Sequence, residues 1–582
     1  MANRQITHPN GVKSTSLAPL EMAIRAINKE VDPFGILSSQ INAQVALLMH
    51  PPEFLKAVDD LSSDWVALYD HALRRMLGMP SHEVLEQSPE DARFADPIWT
   101  ESAIWDIYKE WYLVFSNRLQ KICLETPGLS GHARRQAAFW QRNWLNMVAP
   151  TNFFWLNPQA MTRFVETKGG SIQEGLNNFL RDVTSKNIQM VEPDAFAVGK
   201  DLATTPGKVI FRNRLVELIH YAPTTKQVRA MPILIVTPWI NKYYILDLTA
   251  QKSMVKHLTD QGFSVFISSW KNPGVEMCDV RLDDYLLEGV HALVKATTEF
   301  CKVPQLHLVG YCIGGTLAAT YMAWANKRYE ADSMPVAHWT LLASLTDFSH
   351  PGEIEVFIDE ACISALDELM AKKGYLDGSE MASSFRLLRS NSLIWHYWAQ
   401  SYLLGEKLKP FDVLFWNNDT TRMPQAMHSY YLREMYLHNN LVKRDHLTIG
   451  GESIDLNRIT QSLYAVTAEE DHIAPWQQCY LIRRDVNAAA PVRFVRSSSG
   501  HILGIVNPPV SPPKRSYWVA DSEPNEGAQR WLSHAEKKSG SWWPDWAAWL
   551  HAHTGDMVPA YATSSRKFPA LADAPGNYVL EK

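Results

Sequence analysis

Gln305-Leu306-His307-Leu308-Val309, then Gly310-Tyr311-Cys312-Ile313-Gly314, then Gly315-Thr316-Leu317-Ala318-Ala319, is the stretch that decides the fold. The first five residues read as a short buried strand and the last five as the start of a helix. Between them lies a G-x-nucleophile-x-G box. Small residues on both sides of such a turn let the backbone hold a strained geometry that pushes the central side chain out at the rim of a sheet. That position usually carries serine. Here it carries Cys312, which turns the expected chemistry from oxygen esters toward thioesters.

Working outward, short apolar runs recur at Pro232–Val236, Phe263–Ile267, Trp339–Ala343, Leu463–Val466 and Val492–Val495, with helix-length segments at Leu248–Gln261 and Leu282–Phe300. Near-continuous apolar strands alternating with helices predict a parallel sheet covered on both faces. Together with the elbow, this gives an α/β-hydrolase fold. The long gap between Ser344 and Leu463 is rich in Trp, Tyr and Phe and is too long for a bare loop, so it reads as an inserted, mostly helical cap over about 347–461. Upstream, from about Ala18 to Asp182, apolar residues fall three and four apart, as in Trp105-Asp106-Ile107-Tyr108-Lys109-Glu110-Trp111-Tyr112. The chain therefore divides into an all-helical N-terminal domain over 1–195 and a catalytic domain over 196–582. The Ala/Pro-rich residues after about Pro559 read as an extended tail.

A chain of 582 residues exceeds one simple core, and 46% hydrophobic with 20% charged residues is ordinary for a globular protein. The net charge of −6 supplies no basic field for nucleic acid. Twenty-one tryptophans imply bulky apolar packing or an apolar contact surface. Six cysteines without C-x-x-C pairs argue against zinc ribbons and disulfide scaffolds, and against a metal. No apolar h-region follows Met1 and no run reaches the roughly 18 residues needed to span a bilayer, so the expectation is a cytoplasmic protein without a transmembrane segment. His551-Ala552-His553 is a weak metal pattern, read as a solvated turn.

A free thiol, with a pKa of about 8.5, needs a neighbouring base to attack at neutral pH. In this fold the acid and the histidine follow the nucleophile along the chain. Leu463-Tyr464-Ala465-Val466-Thr467-Ala468-Glu469-Glu470-Asp471-His472 places Asp471 just past a strand end, in competition with Glu469 and Glu470 as the orienting acid. Ser497-Ser498-Ser499-Gly500-His501 places His501 past the next strand. Loops at the carboxyl edge of a parallel sheet converge on one crevice. Cys312, Asp471 and His501 are thus the candidate catalytic residues, with His472 structural and the other cysteines packing or surface residues. An oxyanion would rest on the backbone N–H of Ile313 and on one from Thr237-Pro238-Trp239-Ile240-Asn241. Pro238 has no N–H, and Ile240 is preferred over Trp239 and Asn241.

The residues around these positions resemble the polyhydroxyalkanoate (polyester) synthases. The matching segments are Asn152-Phe153-Phe154-Trp155-Leu156-Asn157-Pro158, Pro238-Trp239-Ile240-Asn241-Lys242-Tyr243-Tyr244, Ser269-Trp270-Lys271-Asn272-Pro273-Gly274 and Gly310-Tyr311-Cys312-Ile313-Gly314-Gly315. Further matches are Phe411-Asp412-Val413-Leu414-Phe415-Trp416-Asn417, Glu470-Asp471-His472-Ile473-Ala474-Pro475-Trp476, Ser499-Gly500-His501 and Ser541-Trp542-Trp543-Pro544-Asp545-Trp546. They span roughly residues 90 to 580. The resemblance implies an acyltransferase, most like the single-subunit class I type. It would polymerise (R)-3-hydroxyacyl-CoA, in the short-chain case 3-hydroxybutyryl-CoA, through an acyl-Cys312 intermediate and release CoA. No cofactor is implied, because CoA belongs to the substrate. The product is apolar and insoluble, so association with cytoplasmic polyester granules, with the N-terminal domain a candidate attachment, is expected, and the cap is a candidate homodimer contact. Trp239 and Leu503 depart from the family pattern and bear on acyl-chain preference. Because water would destroy an acyl-enzyme, the aromatic cap is expected to enclose a dry tunnel, with Trp416 a candidate wall residue. The alternatives are a thioesterase or intracellular polyester depolymerase with the same triad, or a catalytically dead granule coat.

Overall fold

A computed structural model describes residues 32–86, 91–185, 188–192 and 194–582; the helical expectation before residue 32 lies outside them. The sheet strands are β1 (Gly207–Arg212), β2 (Val216–Tyr221), β3 (Ile233–Val236), β4 (Val265–Trp270), β5 (Leu306–Tyr311) and β6 (Val336–Leu342). They continue with β7 (Ser462–Ala468), β8 (Val492–Ser497), β9 (Ser516–Asp521), β10 (Glu536–Ser539) and β11 (Ala572–Asp573). They form one eleven-stranded sheet in the order β10-β9-β8-β7-β6-β5-β3-β4-β2-β1-β11.

From β4 through β3, β5, β6 and β7 to β8 the neighbours run parallel, as the apolar runs require. Their residues are almost wholly buried because helices cover both faces. The edges differ from the expectation of a parallel sheet. β2, β1 and β11 extend one side antiparallel, and β9 and β10 extend the other. β9 alternates buried and partly buried residues, which suits a strand with one face toward solvent.

The N-terminal segment is helical at Ser38–Leu48, Pro51–Met76, Ala103–Glu125, Gly131–Met147, Pro158–Glu166 and Gly170–Ser185. The helix Gly131–Met147 and the turn after it rest on the cap. Phe139 packs edge-on against Phe357 at 5.4 Å, and Arg142 forks onto Glu353 at 2.9 and 3.0 Å. The Trp398 indole donates to the Asn152 carbonyl at 3.0 Å. The Asn157 side chain caps the helix Pro158–Glu166 by accepting the Ala160 N–H, so the Asn152–Pro158 segment both starts a helix and docks on the cap.

Between β6 and β7 the chain forms the inserted cap, with helices at Glu360–Ala371, Gly378–Leu388, Asp412–Asn418 and Gln425–Tyr431 and helical turns around them. The Trp542-Trp543-Pro544-Asp545-Trp546 segment opens the helix Trp543–His553, and all three indoles are buried. Burying each ring contributes about 2–3 kcal/mol. His551 and His553 close this helix rather than a solvated turn: His551 Nδ1 accepts from Arg229, and His553 stacks on Trp549 at 4.1 Å.

Candidate functional site

Cys312 sits between β5 and the helix Ile313–Arg328 with φ +52° and ψ −126°, a region L-residues rarely occupy. The turn is held from several sides. The Cys312 N–H donates to the Leu342 carbonyl at 2.9 Å, and Gly315 and Thr316 N–H close back onto the Cys312 carbonyl. A Cβ on Gly315 would collide with the Ser344 hydroxyl, and one on Gly314 would lie 2.5 Å from the Val236 carbonyl oxygen. The two glycines let the helix start press against the ends of β3 and β6. Cys312 is left partly buried, between the buried Tyr311 and Ile313.

His501 and Asp471 are both buried, and His501 Nδ1 lies 2.6 Å from Asp471 Oδ2. The other oxygen, Oδ1, accepts the Ile473 and Ala474 N–H groups at 2.9 and 2.8 Å, which orients the carboxylate. Glu469 and Glu470 are exposed, and Glu469 pairs with Arg496 at 3.1 Å. Of the three acids, only Asp471 reaches the imidazole. With Nδ1 taken, Nε2 is the nitrogen left for the thiol, and Cys312 lies close enough to act on the charge of the imidazole. Tyr311 stacks on the imidazole at 5.9 Å.

Burial acts to lower the His501 pKa, but the Asp471 charge and Cys312 outweigh it and hold the group well above the ordinary histidine value. His472 goes the other way, drawn down to about 4 by burial and then by Arg389, so it is neutral at pH 7. A raised folded-state pKa means that the His501–Asp471 pair stabilises fully below the ordinary value of about 6.5. That stabilisation fades as pH rises through the folded value. Asp471→Asn is therefore expected to lower the melting temperature more at pH 6 than at pH 10. Calorimetry across that range checks it, and a pH-independent difference would count against the pair.

Two features escaped the sequence reading. The indoles of Trp542 and Trp543 donate to the Gly504 and Ile505 carbonyls at 2.9 and 3.0 Å, bracing the loop that carries His501. Phe348, Tyr431 and Tyr436 form an aromatic cluster, with centroids 4.8 to 6.1 Å apart, close enough to Cys312 for its charge to act on both tyrosines. Only the density of aromatics in the insertion hinted at this cluster. Trp416 is buried in the same apolar cluster that Cys312 packs against, and its indole donates to the Lys242 carbonyl at 2.6 Å.

The Ile313 N–H stands at the first turn of its helix and has no intrahelical acceptor. Ile240 is half-buried, and the loop holding it is fixed from the cap. The Thr421 N–H donates to the Ile240 carbonyl at 3.1 Å, and the Thr421 hydroxyl donates to the Trp239 carbonyl.

A cysteine at a strand–helix elbow, facing a buried His–Asp pair at the carboxyl edge of the sheet, places the chain in the α/β-hydrolase fold. Residues 245–508 match the alpha/beta hydrolase fold model. Residues 90–258 match the model described as Poly-beta-hydroxybutyrate polymerase (PhaC) N-terminus. The Poly(3-hydroxyalkanoate) polymerase of Methylorubrum extorquens is 37% identical over 92% of this chain and 88% of its own length. The Poly(3-hydroxyalkanoate) polymerase subunit PhaC of Cupriavidus necator is 36% identical over 84% and 83%. The solved structure of a putative hydrolase from Agrobacterium vitis S4 covers 51% of this chain and 91% of its own, with 13% identity and a TM-score of 0.31. The chain belongs to the poly(3-hydroxyalkanoate) polymerase family.

Proposed function

We propose that this chain is a polyester synthase that transfers (R)-3-hydroxyacyl groups from CoA to a growing polyhydroxyalkanoate, with Cys312 carrying the acyl group. The observation that carries the reading is the half-exposed Cys312 thiol against the buried His501–Asp471 pair. His501 takes the thiol proton and the sulfur attacks the thioester carbonyl. The oxyanion is held by the N–H groups of Ile313 and Ile240. As the C–S bond to CoA breaks, His501 returns the proton and CoA leaves as a thiol. A 3-hydroxyl, deprotonated by His501 or by Asp471, then attacks the acyl-Cys312; the new ester C–O bond forms as the C–S bond to Cys312 breaks, and the departing sulfur takes the proton back from the base.

Water would do the same and end the chain, so the acyl-enzyme must stay dry. Phe348, Tyr431 and Tyr436 of the cap, with Trp416, are the wall in this reading. The ester product is apolar and insoluble, which puts the working enzyme at a granule surface in the cytoplasm. Among the described residues no helix is long and apolar enough to cross a membrane, so that attachment would be peripheral.

Purified protein incubated with C4, C6 and C8 3-hydroxyacyl-CoA tests this by thiol release and product size. The expected result is CoA release matched by insoluble polymer, fastest with C4. Free 3-hydroxy acid in stoichiometric yield would assign a thioesterase instead. Preference for C8 would remove the short-chain assignment alone.

A further inference from the structure

The side chain of Lys242 is only 3% exposed, yet the mechanism above does not use it. Burying an ammonium group costs several kcal/mol unless it is well hydrogen-bonded. Its Nζ donates to the Glu581 carbonyl at 2.7 Å and to the Tyr578 carbonyl at 3.4 Å. Burial draws its pKa below the ordinary lysine value, opposed by Asp419 and Glu581.

Those two carbonyls belong to a segment that is itself fastened at several points. The Asn577 and Tyr578 N–H groups donate to the buried Glu217 carboxylate at 3.0 and 3.1 Å, and the Tyr578 hydroxyl donates to the Asn213 carbonyl at 2.6 Å. The Glu581 carboxylate takes Lys271 Nζ at 3.2 Å and the Asn272 N–H at 3.3 Å, in the loop after β4. Asn272 Oδ1 in turn accepts the Arg422 N–H at 2.9 Å from the cap. The main chain of Lys242 is held from the opposite side, where its carbonyl takes the Trp416 indole. Two and three residues upstream, Ile240 and Trp239 are held by Thr421. The loop after β3 is thus gripped between the cap and the segment Pro575–Glu581, with one buried ammonium joining the loop to that segment.

We propose that Lys242 is a positioning residue that, clamped by Tyr578–Glu581, fixes the loop presenting the Ile240 N–H to the developing oxyanion. This rests on the oxyanion role given to Ile240 above. An apolar side chain of equal length would fill the same space without the cost of burying charge. The ammonium instead ties this loop to the segment across the sheet edge. A loop held this way keeps its N–H in place as charge builds on the carbonyl oxygen, and a displacement near 1 Å is enough to cost catalysis heavily.

The test uses full-length Lys242→Met and Glu581→Ala, with three readouts: kcat and KM for thiol release from 3-hydroxybutyryl-CoA, the rate of Cys312 alkylation by iodoacetamide, and the melting temperature. Alkylation needs the thiol and His501 but no oxyanion site, so it separates loop placement from general damage. The expected result for Lys242→Met is a kcat lower by about 10- to 100-fold, with KM within about twofold and alkylation unchanged. Glu581→Ala should shift the same way by a smaller factor. Wild-type kcat in both variants would overturn the proposal, and so would an alkylation rate that falls in step with kcat. If Lys242→Met does not fold, Glu581→Ala, whose side chain is 32% exposed, decides on the same readouts. Failure of the functional reading looks different: wild-type protein would then show no Cys312-dependent thiol release at all.

Discussion

Cys312→Ala should lower CoA release from 3-hydroxybutyryl-CoA by at least about 10⁴-fold, leaving no acylated protein detectable by mass spectrometry. The loss is expected to be chemical rather than structural. The turn is set by Gly314, Gly315 and the Leu342 carbonyl, and alanine keeps the Cβ that already occupies φ +52°. Nothing nearby can take over the sulfur's task. Cys479 lies close enough to feel the charge of Cys312, but it is buried and its thiol donates to the Ala474 carbonyl at 3.4 Å. Burial, reinforced by the charges of Asp471 and Cys312, pushes its pKa well above the ordinary thiol value, so it stays protonated. Turnover that persists in Cys312→Ala would overturn the assignment of the nucleophile, and with it the acyl-enzyme route.

Asp471→Asn should reduce turnover by about 10³- to 10⁴-fold, whereas Glu469→Gln and Glu470→Gln should stay within about twofold of wild type. An asparagine can still accept the Ile473 and Ala474 N–H groups, so the loop keeps its shape. What disappears is the negative charge 2.6 Å from His501 Nδ1, which holds the imidazole in register and stabilises its protonated form. The same variant separates the two routes left open for the attacking hydroxyl. If His501 alone activates it, acylation and elongation slow together. If Asp471 deprotonates it directly, a burst of CoA release survives while polymer formation stops. Full activity in Asp471→Asn, or a comparable loss in Glu470→Gln, would move the acid elsewhere.

The choice among the three neighbouring acids shows where reading the chain by itself ran out. Glu469, Glu470 and Asp471 are consecutive, all past the end of β7, and the preference for Asp471 could not be separated from its two competitors by contact with the imidazole. The fold ranks them by aiming one inward and two into water. The antiparallel edges are similar. β1 and β9 carry charged or polar residues among their apolar ones, so a scan for continuous apolar runs passes over them. Residues after Pro559 read as an extended tail because they are rich in Ala and Pro. They are instead held by hydrogen bonds to Glu217, Lys242 and Asn272, partners hundreds of residues away. Trp416 stood out as one aromatic among many, and its hydrogen bond to the Lys242 carbonyl has no trace in the local pattern.

What the amino-acid order determined unaided is the machinery built from neighbours along the chain. The glycines flanking Cys312, the apolar strand before it and the helix after it are local, and local sterics suffice to specify an elbow. The same holds for the order in which Cys312, Asp471 and His501 follow one another along the chain and for the helical character of the cap. Tertiary structure decided everything that depends on who meets whom: which carboxylate touches His501, which aromatics come near Cys312, and which carbonyls receive the buried Lys242. Burial and pairing between distant segments are properties of the assembled chain, because solvent exclusion and hydrogen-bond geometry exist only once the layers have packed.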